Sequence, residues 1–449
     1  MRNAAIAHDA RLRDDVPFVR EVGGIEEYRL AANGLRVLYM PVAAMPVALT
    51  MLTYAVGSRH EPPGLKGASH MIEHMMFKGT DRFRRALGTS IHDLLHPCGA
   101  EVNATTWMDR THYFNLVPLD QLELSAEIEA DRMRGLRMDT DDLEAERVVV
   151  LNEHDLYAGD PLERLHQAVW SAAFPAHPYG HPVLGTREDI LGLQRDALLD
   201  FHRRHYRPDN ATLTVIGDVA RERVLDLALR HFGDIDVPGA HVAAEPAPEP
   251  AQGRERRITL AQATPPDWVM LGYRTPDGRS ADIDALELLG LILVGGKLSR
   301  LYRPLVASGL ATHAWSTVAR LHDPGLFQVQ AQPALTQDHA RVERMLRDAI
   351  DAIRHDGVTD AEVARAAGFL RGQLATGRDG PMAMAMQLNE AIAAGDWTLY
   401  ATVHERIAAV TPADVQRVAK THLLDTQLTV GHLAHDPAHA DADADEACA

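Results

Sequence analysis

The sequence predicts an α+β protein made of two similar halves, and three observations carry that prediction. The chain has 449 residues, beyond the size at which a single core usually keeps growing, so two or more domains are expected. A Pro- and Ala-rich stretch, GAHVAAEPAPEPAQGR at 239–254, lacks hydrophobic periodicity and divides the chain near its middle. The two sides also share a plan. Each opens with an apolar strand-like run, Val47–Val56 in the first and Trp268–Tyr273 in the second. Each continues into a long helix and ends with a helix leading to a Val/Leu/Thr strand. Those endings read ALLDFHRRHYRPDNATLTVIGDV and ADVQRVAKTHLLDTQLTVGHL. A duplicated α+β unit is the simplest account. The expected divisions are a first domain over 1–238, a linker over 239–254, a homologous second domain over 255–434, and a low-complexity acidic tail over 435–449 that reads as disordered.

Bulk properties narrow the function class. The composition is that of a globular protein, 46% hydrophobic and 24% charged. A formal net charge of -18 argues against general nucleic-acid or anionic-membrane binding, because phosphates would be repelled. The same charge is compatible with basic peptides, although acidic surfaces chiefly confer solubility. Only two cysteines occur, Cys98 and Cys448, without a C-x-x-C spacing, so neither a disulfide scaffold nor a cysteine-zinc site follows. The first residues lack the apolar core of a signal peptide, and no run of about eighteen apolar residues exists to span a membrane. The expectation is a cytoplasmic protein, with a periplasmic location left open.

The chemistry is concentrated in His70-Met71-Ile72-Glu73-His74. Two histidines four apart on a helix project from one face, so both imidazoles can reach one metal ion. Glu73 lies on that face, within reach of a water held there, and H-x-x-E-H is a metallopeptidase signature. Two histidines leave zinc short of a third protein ligand, with a fourth position open for water. The candidate lies in DDLEAERVVVLNEHDLYAGD, a helical segment whose cap region is Thr140-Asp141-Asp142. Glu146 and Glu153 stand nearly two turns apart and share a face; one can ligate while the other holds a histidine from behind. Glu144 is rotated off that face. His154 points elsewhere on the helix, and His60, His92, His96 and His112 lack helical spacing to the motif, so all five read as structural or surface residues.

From these residues the chain resembles the pitrilysin/insulinase family of zinc peptidases, especially its bacterial and processing-peptidase-like members. In that family the inverted motif is followed, some seventy residues later, by a glutamate that closes an E-x(6)-E pair, here Glu146 to Glu153. The likeness extends through GASHMIEHMMFKGTDRF, NATTWMDRTHYFNLVP, HPYGHPVLGTREDI and HYRPDNATLTVIGDV, in that order. It implies two α/β-roll halves, each a mixed sheet flanked by helices, closing as a clamshell. It also implies Zn2+ on His70, His74 and Glu153, with Glu73 as general base and Glu146 behind the ligands. Each role has independent physical sense, since zinc makes its water acidic and a carboxylate can carry the proton to the leaving amine.

The segment AEVNATT at 100–106 alternates as a strand would. By resemblance, Asn103-Ala104-Thr105 belongs to an edge strand that takes an extended peptide by β-addition. Read from the residue alone, the weaker alternative for Asn103 is a turn or bulge residue. Cys98, just ahead, reads as a buried inert thiol. The second half carries no metal word: its apolar helix, about Asp284–Val294, has no paired histidines. Many relatives place an Arg and a Tyr in the following stretch, where this chain has Val306 and Thr312. Tyr302, Arg303 and His313 are substitutes, each more often a packing or surface residue. The expectation is therefore a homodimer, or a heterodimer with a related subunit that supplies the Arg/Tyr pair. The leading reading is a zinc endopeptidase acting on peptides or unfolded polypeptides. The alternatives are a non-catalytic core or scaffold subunit and a structural metal protein with four protein ligands.

Overall fold

The computed structural model describes residues 14–43, 45–237, 239, 245–263, 266–334 and 339–435. The tail assigned to 435–449 lies outside them except for His435, as does Cys448. The helices that bear on the cores and the site are α1 (Ala68–Met76), α2 (Leu122–Arg134), α3 (Thr140–Gly159), α4 (Pro161–Ala173), α5 (Asp282–Val294), α6 (His339–Asp356) and α7 (Gly380–Ala393).

The chain forms two compact units, and their boundaries follow packing rather than sequence halves. One unit gathers 1–154, 182–246 and 377–402; the other gathers 155–181, 247–376 and 403–449. Each half thus gives a segment to the other unit. The first unit holds β1 (Phe18–Val22), β2 (Ile25–Arg29), β3 (Arg36–Pro41), β4 (Val47–Tyr54), β5 (Glu101–Thr106), β6 (Thr111–Pro118) and β7 (Ala211–Gly217). They pair in the order β1-β2-β3-β7-β4-β6-β5, with β3 parallel to β7 and the rest antiparallel. The second unit holds β8 (Arg256–Gln262), β9 (Trp268–Arg274), β10 (Ala311–Val318), β11 (Leu326–Pro333) and β12 (Leu428–His435). Its order is β10-β11-β9-β12-β8, again with one parallel pair, β8 and β12.

Matching β3–β7 with β8–β12 in chain order gives the same neighbours and the same single parallel pair. The duplication read from the sequence is therefore present in the topology. Each half opens one strand earlier than expected, at β3 and β8; β8 sits at a sheet edge with alternating partial exposure, so its apolar signal is weak. The β1–β2 hairpin is an addition to the first sheet.

The strand β4 shows why the apolar runs are continuous. Ala48, Leu52 and Tyr54 face one core with Met71, Ile72 and Met75 of α1 and Leu143 and Val150 of α3. Leu49 and Met51 face the opposite core with Ala385 of α7. Both faces are buried, so alternation disappears from the sequence. Asn389 of α7 accepts the Thr53 hydroxyl at 2.7 Å and reaches His112 Nδ1 at 3.1 Å, which satisfies polar groups that burial would otherwise strand.

The second unit repeats the device. Val269, Leu271 and Tyr273 pack with Leu286 and Leu289 of α5 and Leu346 and Ile350 of α6. The other face receives α4, and two strand glycines make room for it. A Cβ on Gly431 would lie 2.5 Å from Val169 and 2.8 Å from Leu165; one on Gly272 would lie 3.1 Å from Val169. The later part of the expected linker is tied down here. Glu249 accepts the Ala176 and His177 amides at 2.8 and 2.7 Å, and Gln252 donates to the Leu428 carbonyl at 2.8 Å.

Candidate active site

The site lies in the first unit, where α1 and α3 approach β5. Helix α1 starts at Gly67, whose φ of 81° and approach to the Leu184 carbonyl exclude a side chain. The buried Glu61 carboxylate accepts the Gly67 and Ser69 amides at 2.8 and 2.7 Å, capping the helix from outside it. Burial outweighs those bonds and pushes Glu61 up to about 7. Met71, Ile72, Met75 and Met76 anchor α1 in the core, which turns His70, Glu73 and His74 toward a cavity of about 920 Å3. Helix α3 is held by Arg147, which donates to the Leu193 carbonyl at 2.9 Å and pairs with Glu144 at 3.1 Å. Glu146 and Glu153 then point into the same cavity.

His70, His74 and Glu153 converge. Glu153 Oε2 lies 3.5 Å from His70 Nε2 and 3.4 Å from His74 Nε2. Two atoms each about 2.1 Å from a tetrahedral ion are roughly 3.4 Å apart, so this donor set fits zinc. His74 Nδ1 is 2.8 Å from Glu146 Oε1, which assigns one ring proton to that side and makes Nε2 the nitrogen that would ligate. Glu146 also pairs with Lys78. Burial would raise the Glu146 carboxyl, but its bonds to His74 and Lys78 hold it below the usual range. The hydrogen bond with His74 likewise lowers Glu153. Burial lowers His70 to about 4; for His74, the bonds to Glu146 and Glu153 overcome burial and raise it to about 9. His70 thus offers a free lone pair at neutral pH, while His74 holds a proton that a metal would displace.

Glu73 is 9% exposed, and burial raises its carboxyl despite a hydrogen bond with Thr106. A buried carboxyl raised above its ordinary range is a better proton acceptor than an exposed one. Among the described residues, β5 pairs only with β6, so its other side is a free sheet edge. Asn103 and Ala104 line the cavity. The Ala104 amide donates to the Asn103 side chain at 2.9 Å rather than to a neighbouring strand. Thr105 does not line the cavity; its hydroxyl accepts from Arg110 at 2.8 Å and lies 3.2 Å from His112.

Other sequence readings find their places. His92 is exposed, as read, and it also lines the cavity, stacked on Phe77 with ring centroids 5.6 Å apart. Cys98 is half-buried rather than buried. In the second unit, Val306 sits in a short irregular helix, and Thr312 and His313 lie on β10, where His313 stacks on Trp315. Lys78 and the cavity residues Arg84 and Arg85 had no role in the sequence reading. Lys78 was detectable, being one helical turn beyond His74. The arginines lie outside any long element and gave no periodic signal.

Comparison with known proteins places these features. Residues 37–187 match the model described as Insulinase (Peptidase family M16), and residues 192–369 match Peptidase M16 inactive domain. An uncharacterized zinc protease of Mycobacterium leprae is 34% identical over 351 residues, 77% of this chain and 77% of that protein. The zinc protease PqqE of Helicobacter pylori is 27% identical, covering 88% of this chain and 90% of that one. A crystal structure of a protease from Helicobacter pylori superposes with a TM-score of 0.85 at 26% identity, covering 91% and 99% of the two chains. Among the described residues no helix is long and apolar enough to cross a membrane. This chain belongs to the insulinase family of peptidases, peptidase family M16.

Proposed function

We propose that the chain is a zinc-dependent endopeptidase whose site is His70, His74 and Glu153 as metal ligands with Glu73 as the proton carrier. The observation that carries this reading is the convergence of two imidazole Nε2 atoms on one Glu153 oxygen, beside a buried carboxylate on the same helix. Zinc, when bound, polarises a carbonyl and makes a water acidic at neutral pH. Glu73 takes a proton at its carboxylate and returns it to the leaving amine. Glu146 fixes the ring and tautomer of His74, and Lys78 keeps Glu146 anionic. The free edge of β5 holds an extended peptide by backbone pairing, with Asn103 and Ala104 beside it; Asn103 releases the Ala104 amide as substrate pairs. Thr105 acts from behind through Arg110.

The family model over residues 192–369 is described as an inactive domain, which favours a metal-free second half that shapes or completes the site rather than a second centre. With Val306 and Thr312 near the places where the family resemblance implies an Arg and a Tyr, completion by a related subunit or a second copy is part of the proposal. The test is metal content and peptide cleavage for the wild type, His70→Ala and Glu153→Gln, alone and with the products of neighbouring genes. The reading expects about one zinc per chain and cleavage in the wild type, and loss of both in the variants. A fully loaded Glu153→Gln protein would overturn the ligand set. Zinc without cleavage, alone or with any partner, would favour the scaffold reading.

A further inference from the structure

The cavity is lined by five carboxylates, Glu73, Asp139, Asp142, Glu146 and Glu153, and by cations that they neutralise only in part. Four cationic side chains line the space: Lys78, Arg84, Arg85 and Arg137. Two are neutralised, Lys78 by Glu146 and Arg137 by Asp81 at 2.8 Å and Asp139 at 2.7 Å. Arg84 is not. Among the described residues its only ion pair is a 3.6 Å approach to Asp81, which is 90% exposed and already serves Arg137, and its Nε is buried with no hydrogen-bond partner there. The exposed Arg85 acts electrostatically on Asp93, and its side chain makes no hydrogen bond or ion pair with a described residue. A guanidinium paired only weakly within the protein is matched by a carboxylate or a similar planar anion, which meets its terminal nitrogens.

The turn that presents them is fixed in advance. Thr80 Oγ1 accepts the Phe83 amide at 2.9 Å and the Arg82 amide at 3.1 Å, and it donates to Asp131 at 2.5 Å. Gly79, with φ of 103°, brings the turn so close to the Phe83 carbonyl that no Cβ fits. The Thr89 hydroxyl donates to the Arg82 carbonyl at 2.8 Å. A turn so fixed spares the backbone part of the ordering cost, leaving only that of the two side chains.

We infer that Arg84 and Arg85 form a carboxylate-recognition subsite, so that the favoured substrates are peptides carrying an Asp or Glu side chain, or a free C-terminus, near the cleaved bond. This rests on the endopeptidase reading and names its substrate class. The net charge of -18 does not oppose it, because in physiological salt that field is screened beyond about 8 Å while contacts inside the cavity are not.

The experiment uses fluorogenic peptides that differ at one position, Asp, Glu, Asn, Gln or Lys, on either side of the cleaved bond, each with a free and an amidated C-terminus. The wild type should cleave the carboxylate peptides about tenfold faster in kcat/KM than their amide counterparts. Arg84→Gln/Arg85→Gln should bring that ratio to about one, and Arg85→Glu should shift preference toward Lys. A preference that survives amidation assigns the carboxylate to a side chain; one that vanishes assigns it to the terminus. A wild type indifferent to every carboxylate, or a ratio unchanged in the double variant, overturns the inference. Anisotropy of the labelled peptides on Glu73→Gln protein separates the two readings. Carboxylate-selective binding without wild-type cleavage would sink the peptidase and keep the subsite, whereas cleavage without selectivity would do the reverse.

Discussion

Removing the Glu146 carboxylate should weaken zinc binding without touching a ligand. Glu146 meets His74 Nδ1 at 2.8 Å and Lys78 on its other oxygen, and the residue is 8% exposed. A hydrogen bond to a charged group in such surroundings contributes about 1.5–3 kcal/mol. That corresponds to roughly 10- to 150-fold in an equilibrium constant, and partners behind metal-bound histidines typically account for 10- to 100-fold of metal affinity. Glu146→Ala should therefore lose one to two orders of magnitude in zinc affinity. Glu146→Gln should lose less, because an acceptor remains while the charge does not. Lys78 acts only through Glu146, so Lys78→Met should weaken zinc in the wild type and add nothing in Glu146→Ala. The assay is competition for zinc against a chromophoric chelator at fixed pH, with far-UV circular dichroism to show that the helices persist. Affinity of Glu146→Ala within twofold of wild type would refute the positioning argument, and additive losses in the double variant would refute the Lys78 route.

Two further outcomes probe the frame that carries the site. Gly431→Val should destabilise the second unit by about 1–3 kcal/mol through overpacking against Val169 and Leu165, read as a lower thermal midpoint, while Thr429→Val on the same strand should not reproduce that packing clash. Burial raises Glu343, but hydrogen bonds from His432 and Arg257 and the nearby charge of Arg347 outweigh it and hold the carboxyl at about 2. Its folded value lies below its unfolded one, so its stabilisation, of order 3 kcal/mol, is present above about pH 4.5 and fades as pH falls toward 2. Glu343→Gln should flatten the slope of stability against pH in that window; an unchanged slope by urea unfolding would contradict the assignment.

The metal constellation was legible because helical spacing is local: His70, Glu73 and His74 declare their common face in five residues, and Glu146 and Glu153 in eight. Strands β4 and β9 and helix α5 were legible because buried apolar runs stand out from their neighbours. The exchange of α4 and α7 between units was not. Each has apolar residues to bury, but nothing local says against which sheet. The one pointer was glycine inside strand patterns, Gly272 and Gly431, which marks a close approach without naming what approaches. The arginine pair escaped for a related reason. Whether a surface arginine is neutralised depends on residues distant in sequence, here Asp81 being shared with Arg137.

The most direct test is Glu73→Gln, measured for bound zinc and for peptide cleavage in the same preparation. In the proposed reading Glu73 is not a ligand but the group that moves the proton, so the variant should retain about one zinc per chain while kcat falls by about 100- to 10,000-fold. Cleavage at the wild-type rate by a zinc-loaded Glu73→Gln protein would contradict the account.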